Sequence, residues 1–496
     1  MNFDTKQTGL PALTTDYLKD DHVLVDNVFA DLWHTFGMKG LISKAGIRKR
    51  SGTSVDTLIY CLIMWVWLKS NSIRMFSTDA MQSFCFAKKD ALYDLMNRED
   101  LNWRKLNIDA ACKAVKDHQI KGDKALVLDD SIKQRYGKKM PGVSSHFDHT
   151  TGRCMMGQQV LTLGLSTEKG FFPVDSELFI SASKAQGLKS AFKDGRSHVA
   201  QRYRAAQQKT KPKMAEEMIN RALKAGLDAD YLLADAWFGT KPMIRIAEEA
   251  LVTPILRMKK NKMKYRLTIF QNGHEVSKEY NAKELYRYAI RGQWQKTPGQ
   301  PYLSKALDVE LNLASSDKEP EQWTKVRLLF VRGSAEQREE TVGKHQWALF
   351  LTTDVSMPPK RILVLYAMRW AIEVYFKEAK QHLGFLKEQG THYAAYVASI
   401  HLAAIRFCML MSAMMTDESR RLCSIRADLS DNLQSISFAT RLWATFRMLI
   451  TGALEELRTV FGDDVDKIIA TIDIHVQSFF MQALQLDPLV LSLEST

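Results

Sequence analysis

KALVLDDS, residues 124–131, sets four apolar residues, Ala125 to Leu128, directly before two acids. So short an apolar run bounded by polar residues reads as a buried strand. The pattern returns at YLLADAWFG, residues 231–239, where a short apolar run again ends in an acid, Asp235. Between them, GQQVLTLGLS (157–166) and GFFPVDSELFI (170–180) read as two strands turning at STEKG, and AEEMINRALKAGLDAD (215–230) carries helical periodicity. Strand, hairpin, helix and strand in that order describe an α/β core. Side chains at strand ends in such a sheet converge on a crevice, so Asp129 or Asp130 is expected beside Asp235.

The chain has 496 residues, of which 46% are hydrophobic, enough for a large core and against wholesale disorder. Sixty-nine Lys and Arg against 56 Asp and Glu give a net charge of +13, which suits a polyanionic partner. The six cysteines form no C-x-x-C pair, which fits a reduced cytoplasmic setting without structural zinc. No signal-peptide pattern opens the chain, and the apolar run LIYCLIMWVWL (58–68) is too short for a bilayer and reads as a buried helix.

Residues 22–118 are periodic in the helical sense, with Ser51, Thr53 and Ser54 offering N-cap chemistry before the apolar run. Arg48, Lys49 and Arg50 at a turn there suit either a DNA-reading module or a plain helical subdomain. From 257 to 355 the sequence alternates, with turn signals at QNGHE, TPGQP and RGSAE and strands expected at 264–270, 305–312, 324–332 and 347–353. The expected organisation is a helical, DNA-binding 1–118, an α/β core over 119–256, a β-rich insertion over 257–355, the core resumed over 356–395, and a helical 396–496 suited to dimer contacts.

YAMRWAIEVYFKEAKQHLG, residues 366–384, reads as one amphipathic helix. Tyr366, Arg369, Glu373, Lys377 and Lys380 share a narrow polar stripe beside Leu365, Met368, Ile372, Phe376, Ala379 and Leu383. Taken alone, the stripe is a row of surface ion pairs. Docked against the sheet edge, it adds Glu373 to the two aspartates. Three carboxylates without histidine or cysteine suit hard cations such as Mg²⁺ or Mn²⁺, and two such ions activate and stabilise oxygens in phosphoryl transfer.

The series D129-D-S, then LADAWFG with Asp235, then Tyr366-x2-Arg369-x3-Glu373-x6-Lys380, resembles the DDE transposases of bacterial cut-and-paste insertion sequences, the IS-four family, whose signature is Y-x2-R-x3-E-x6-K. The resemblance covers roughly residues 124–384. It implies an RNase H-like core interrupted by a β-rich insertion, with Asp129, Asp235 and Glu373 as a catalytic triad binding two divalent ions. Asp129 is preferred by the D-x-S look of the first strand, and Asp130 stays open. The resemblance further implies terminal inverted repeats and target DNA as substrates, a hairpin intermediate, a homodimer in the synaptic complex, and action at the bacterial nucleoid.

In the family, a tryptophan near the insertion's end stacks on a flipped base, and Trp347 in WALFLTTD resembles it, with Trp323 and Trp294 as weaker candidates. Packing inside the insertion is the other reading of Trp347. Two basic runs flank Asp235: residues 184–213, with Arg202, Arg204, Lys209 and Lys211, and residues 257–266, with Lys259 and Lys260. Interleaved with Tyr203 and Tyr265, they are expected to contact DNA, as are Tyr366, Arg369, Lys377 and Lys380. HFDHTTG, with His146, Asp148 and His149, suits a turn or phosphate contact better than a metal site.

Overall fold

The computed structural model describes residues 28–456, apart from single positions and the short stretches 138–139, 149–151, 181–186, 272–273, 297–301, 315–318 and 334–346, and scattered residues from 462 to 471. His149 and part of the expected C-terminal region lie outside the described residues.

Five strands build the core: β1 (Lys124–Gln134), β3 (Arg153–Thr167), β4 (Phe171–Phe179), β5 (Tyr231–Ala234) and β6 (Thr253–Arg257), with β2 (Ser144–Asp148) pairing the start of β3. Their order across the sheet is β4-β3-β1-β5-β6, with β1, β3 and β4 antiparallel and β1, β5 and β6 parallel. That is the RNase H-like α/β arrangement expected from the sequence. The parallel strands are near-continuous apolar runs because helices cover both faces; Ala125 to Leu128 and Leu232 to Ala234 are fully buried. Gly164 of β3 is required by a close approach: a Cβ there would stand 2.1 Å from the Phe171 ring, which crosses the strand at that point.

Residues 257–355 extend the same sheet. Strands β7 (Lys264–Gln271), β8 (His274–Asn281), β9 (Gln295–Lys296), β10 (Tyr302–Asn312), β11 (Trp323–Gly333) and β12 (Trp347–Thr352) match the strands expected there and add β8 and β9. The sheet runs on from β6 through β12, β11, β10 and β7 to β8, with Leu256 opposite Leu351 at the junction. A helix, Ala282–Ile290, interrupts this β-rich segment. Its signal was legible as N-A-K-E: Asn281 accepts the Glu284 N–H at 3.1 Å while Glu284 accepts the Asn281 N–H at 2.7 Å, a capping box.

The helical N-terminal region shares the core. Ser54 caps helix Val55–Met64, accepting the Thr57 N–H at 3.1 Å. Arg406, fully buried on helix Tyr393–Thr416, caps the other end by donating to the carbonyls of Leu62 and Ile63, and it also reaches the Leu383 carbonyl at 2.7 Å. A guanidinium on terminal carbonyls satisfies acceptors the helix cannot satisfy itself. Helix Tyr393–Thr416 is long and apolar enough to cross a membrane, yet it is mostly buried, packed on β4 and helix Trp103–Asp117. The domain boundary expected at 395/396 falls inside this helix.

The stretch 366–384 forms two helices, Pro359–Ala367 and Trp370–Gln381, where one was expected. At the junction the backbone tightens to three-residue hydrogen bonds, Met368 N–H to Leu365 O and Arg369 N–H to Tyr366 O, both 3.0 Å. The hydroxyl of Ser166, at the end of β3, donates to the Met368 carbonyl at 3.0 Å, which also accepts the Ala371 N–H at 3.3 Å. This contact joins segments about two hundred residues apart, which periodicity does not reveal.

Candidate active site

Parallel register pairs Leu128 with Ala234, so Asp129 and Asp235 follow at adjacent positions of neighbouring strands, which lie about 4.8 Å apart. Asp235 stands where β5 ends. Asp129 lies mid-strand, because β1 runs on to Gln134 against β3; what stops after Leu128 is only its pairing with β5. The Asp235 carboxylate accepts the Trp237 N–H at 2.8 Å and the Phe238 N–H at 3.4 Å, which folds the following loop back over the strand end. Gly239 completes that loop: a Cβ there would stand 2.2 Å from the Arg257 carbonyl.

Helix Trp370–Gln381 packs on β1 and β4 and brings Glu373 to this edge. Arg369 bridges the acids, donating to Asp129 Oδ2 at 3.0 Å and to Glu373 Oε1. The sequence suggested Arg369 as a phosphate contact; in the structure its guanidinium bridges two carboxylates. Tyr366 packs edge-on to Phe350, with ring centroids 4.7 Å apart, and the Arg369 guanidinium carbon lies 5.7 Å from its ring.

Alternation along β1 separates the two candidate first acids. Asp129, Ser131 and Lys133 share one face. Asp130 faces the other way, where it accepts from Lys211 Nζ at 2.6 Å and from Gln159 Nε2 at 2.7 Å. Asp130 is thus consumed in an ion pair with a lysine only 6% exposed, while Asp129 looks towards Asp235 and Glu373.

Burial pushes the Asp129 carboxyl up to about 7, the charge of Asp235 adds to the rise, and Arg369 opposes it. Such a pair of carboxylates lacks positive charge. Burial, with the Lys133 charge second, pulls the Lys380 ammonium down to about 8, and burial raises the Tyr366 hydroxyl to about 12. Lys133 and Lys387, depressed in the same sense, add to this basic cluster. Sequence reasoning missed Lys133, although two-residue alternation from Asp129 points to it.

An all-oxygen donor set with a charge deficit fits a hard divalent cation. Among the described residues, no three Asp, Glu, His or Cys side chains stand close enough as placed to ligate one ion, and Arg369 stands between Asp129 and Glu373.

The remaining expected DNA contacts divide by exposure. Lys377, Arg204 and Lys259 are exposed, and Lys209, part-exposed, pairs with Glu217 at 2.6 Å. Trp347 is only 7% exposed, stacked on Tyr286 at 4.3 Å and 3° with the Lys260 ammonium 4.3 Å from its ring, so it packs inside the insertion. Tyr203 and Tyr265 are likewise buried, so their rings do not reach the surface beside the exposed Arg204, Lys259 and Lys264. Arg202 is buried, donating to Glu177 Oε2 at 2.9 Å, to the Ser176 carbonyl at 2.5 Å and against His401 at 2.6 Å. Arg104 and Arg221 join it around Asp175 and Glu177. On an amphipathic helix, residue type alone cannot tell which basic side chains turn inward. Arg202→Ala would strand part of this buried charge, with an expected loss of about 3 kcal/mol in chemical denaturation. His146 lies close to Ser144, 3.0 Å between Nε2 and Oγ, in β2.

Residues 51–275 match the family model described as DDE superfamily endonuclease, and residues 191–409 match the one described as transposase DDE domain. No curated protein matches the chain. The two overlapping matches support a DDE transposase or DDE endonuclease, a class that generally uses divalent metals, with DNA as the implied partner.

Proposed function

We propose that this chain is a cut-and-paste DNA transposase of the IS-four type, with Asp129, Asp235 and Glu373 as its catalytic carboxylates. The observation that carries the reading is the side-by-side register of Asp129 and Asp235 on parallel strands, with Arg369 tying Glu373 to the same point. The three carboxylates would hold two divalent ions of the Mg²⁺ type, which would supply an activated attacking oxygen and charge for the leaving one.

The chain's own residues do the rest. Asp129 gives up its proton when it takes up a cation, and its raised pKa means that it does so readily near neutral pH and above, not in acid. Arg369 releases the acids and turns its guanidinium to a phosphate next to the scissile bond, a two-pronged contact that a lysine could not reproduce. Lys380, Lys377 and Lys133 line the approach and grip the strand through its phosphates. Lys380 contributes most below about pH 8, where it is charged. Tyr366, edge-on to Phe350, offers its hydroxyl to a neighbouring phosphate. The exposed Arg48, Lys49 and Arg50 place the N-terminal helical region against the terminal repeat, and two subunits would pair two ends.

The test is incubation with Mg²⁺ and a labelled duplex carrying the DNA that borders the coding region. Cleavage at the end followed by joining of its 3′ strand to a second DNA supports transposition, and a hairpin product would support the proposed excision route. Cutting without joining would instead make the chain a DDE endonuclease, the activity named by one of the two family matches. Binding without cutting would overturn both readings.

A further inference from the structure

Trp237 is 42% exposed, two residues past Asp235 in the loop that the Asp235 carboxylate itself folds. Large aromatic rings are expensive to leave in water, and Phe238 beside it is buried at 1% exposure. The ring is nonetheless held firmly. Phe238 meets it edge-on with centroids 4.8 Å apart, and its backbone N–H is fixed to Asp235. The Lys211 ammonium stands 4.2 Å from its centroid while also paired with Asp130 at 2.6 Å. Lys211 is only 6% exposed, so it supports the ring from the protein side and the exposure belongs to the outer part. Lys259, exposed at the end of β6, places a second ammonium 5.6 Å from the same centroid.

A part-exposed aromatic ring held by a buried cation and a neighbouring ring, with an exposed lysine close to it, combines a base-stacking platform with a phosphate contact. We propose that Trp237 is a nucleobase seat at the catalytic edge, stacking on an unpaired base of the strand whose phosphates lie over the acids, with Lys259 on an adjoining phosphate. The seat rests on the reading of the site as one for DNA. It lies on the core edge, apart from Trp347, whose ring is already stacked on Tyr286 inside the insertion. Because Lys211 and Phe238 hold the ring before any DNA arrives, little side-chain freedom remains to be lost on binding.

The experiment uses the full chain in EDTA, so that no cleavage occurs, and a short single-stranded oligonucleotide containing 2-aminopurine. Wild type should bind it and quench the fluorophore through stacking. Trp237→Leu should lower affinity about 5- to 150-fold and abolish the quench, whereas Trp237→Phe keeps most of both. The salt dependence of binding should be unchanged in both variants, because no charge is removed, and shallower by about one ion in Lys259→Ala. Melting temperatures of the Trp237 variants report any structural effect separately, and the comparison of Phe with Leu holds if both melt slightly lower. Wild-type binding and quenching retained in Trp237→Leu would overturn the seat alone. A wild type that does not bind the oligonucleotide would overturn the seat, and failure of the duplex cleavage test as well would overturn the DNA reading beneath it.

Discussion

Asp235→Asn should slow strand cleavage by about 10³-fold or more in single turnover, since a lost metal-ligating charge removes several kcal/mol of transition-state stabilisation. Asparagine keeps the side chain's size and can still accept the Trp237 and Phe238 N–H groups that shape the loop. The fold and DNA affinity should therefore survive, and affinity should rise slightly where a negative charge has been removed from beside the phosphates. Glu373→Asp sharpens the same point. A surface partner of Arg369 would tolerate the shorter acid, whereas a metal ligand withdrawn by one methylene would not, so cleavage should fall steeply although the charge is kept. Single-turnover cleavage by either variant within about tenfold of wild type would remove that residue from the catalytic set.

Asp129→Asn should stabilise the protein in EDTA, increasingly so as the pH rises. The folded-state pKa of Asp129 is raised to about 7, above the ordinary carboxylate value near 3.8. The folded state therefore binds more protons than the unfolded state between these values, and stability falls as pH rises through that window. Below it both states are protonated and the group costs nothing; above about 7 the full penalty is present, up to ~4 kcal/mol from a three-unit shift. Asparagine carries no such penalty. Its advantage should grow by about 2–3 kcal/mol between pH 5 and pH 8 in denaturant titrations, and shrink when a divalent cation offsets the wild-type charge. An advantage that did not change with pH would mean that Asp129 is not held in this charge-deficient pair.

Much of the fold was legible because it is written in local pattern. Ala125 to Leu128 and Tyr231 to Ala234 are strands because each is a short apolar run, and the hairpin of β3 and β4 follows from alternation around STEKG. The strands of 257–355 were marked by their turns. What pattern could not reveal depends on distant partners. Ser166 meets the junction between Ala367 and Trp370 from about two hundred residues away, the continuity of the insertion with the core sheet needs β12 to find β6, and the burial of helix Tyr393–Thr416 needs β4.

The same division runs through the site. Strand ends and helical spacing nominated Asp129 or Asp130, Asp235 and Glu373, because the aspartates follow short apolar runs and Glu373 lies on the polar stripe of an amphipathic helix. Residue type alone overcounted the basic contacts: Arg202 and Lys211 carry the same charge as Arg204 and Lys259 in the sequence, yet the first two are buried on carboxylates. Trp347 and Trp237 were equally aromatic on paper, and only packing shows one stacked on Tyr286 and the other open beside Asp235. The sequence by itself determined the fold class, the order of the core elements and the candidate acids, since periodicity and residue chemistry are properties of neighbours along the chain. Tertiary structure alone decided which of Asp129 and Asp130 faces Asp235, which aromatic is exposed and which cations are buried, because orientation and burial are properties of neighbours in space.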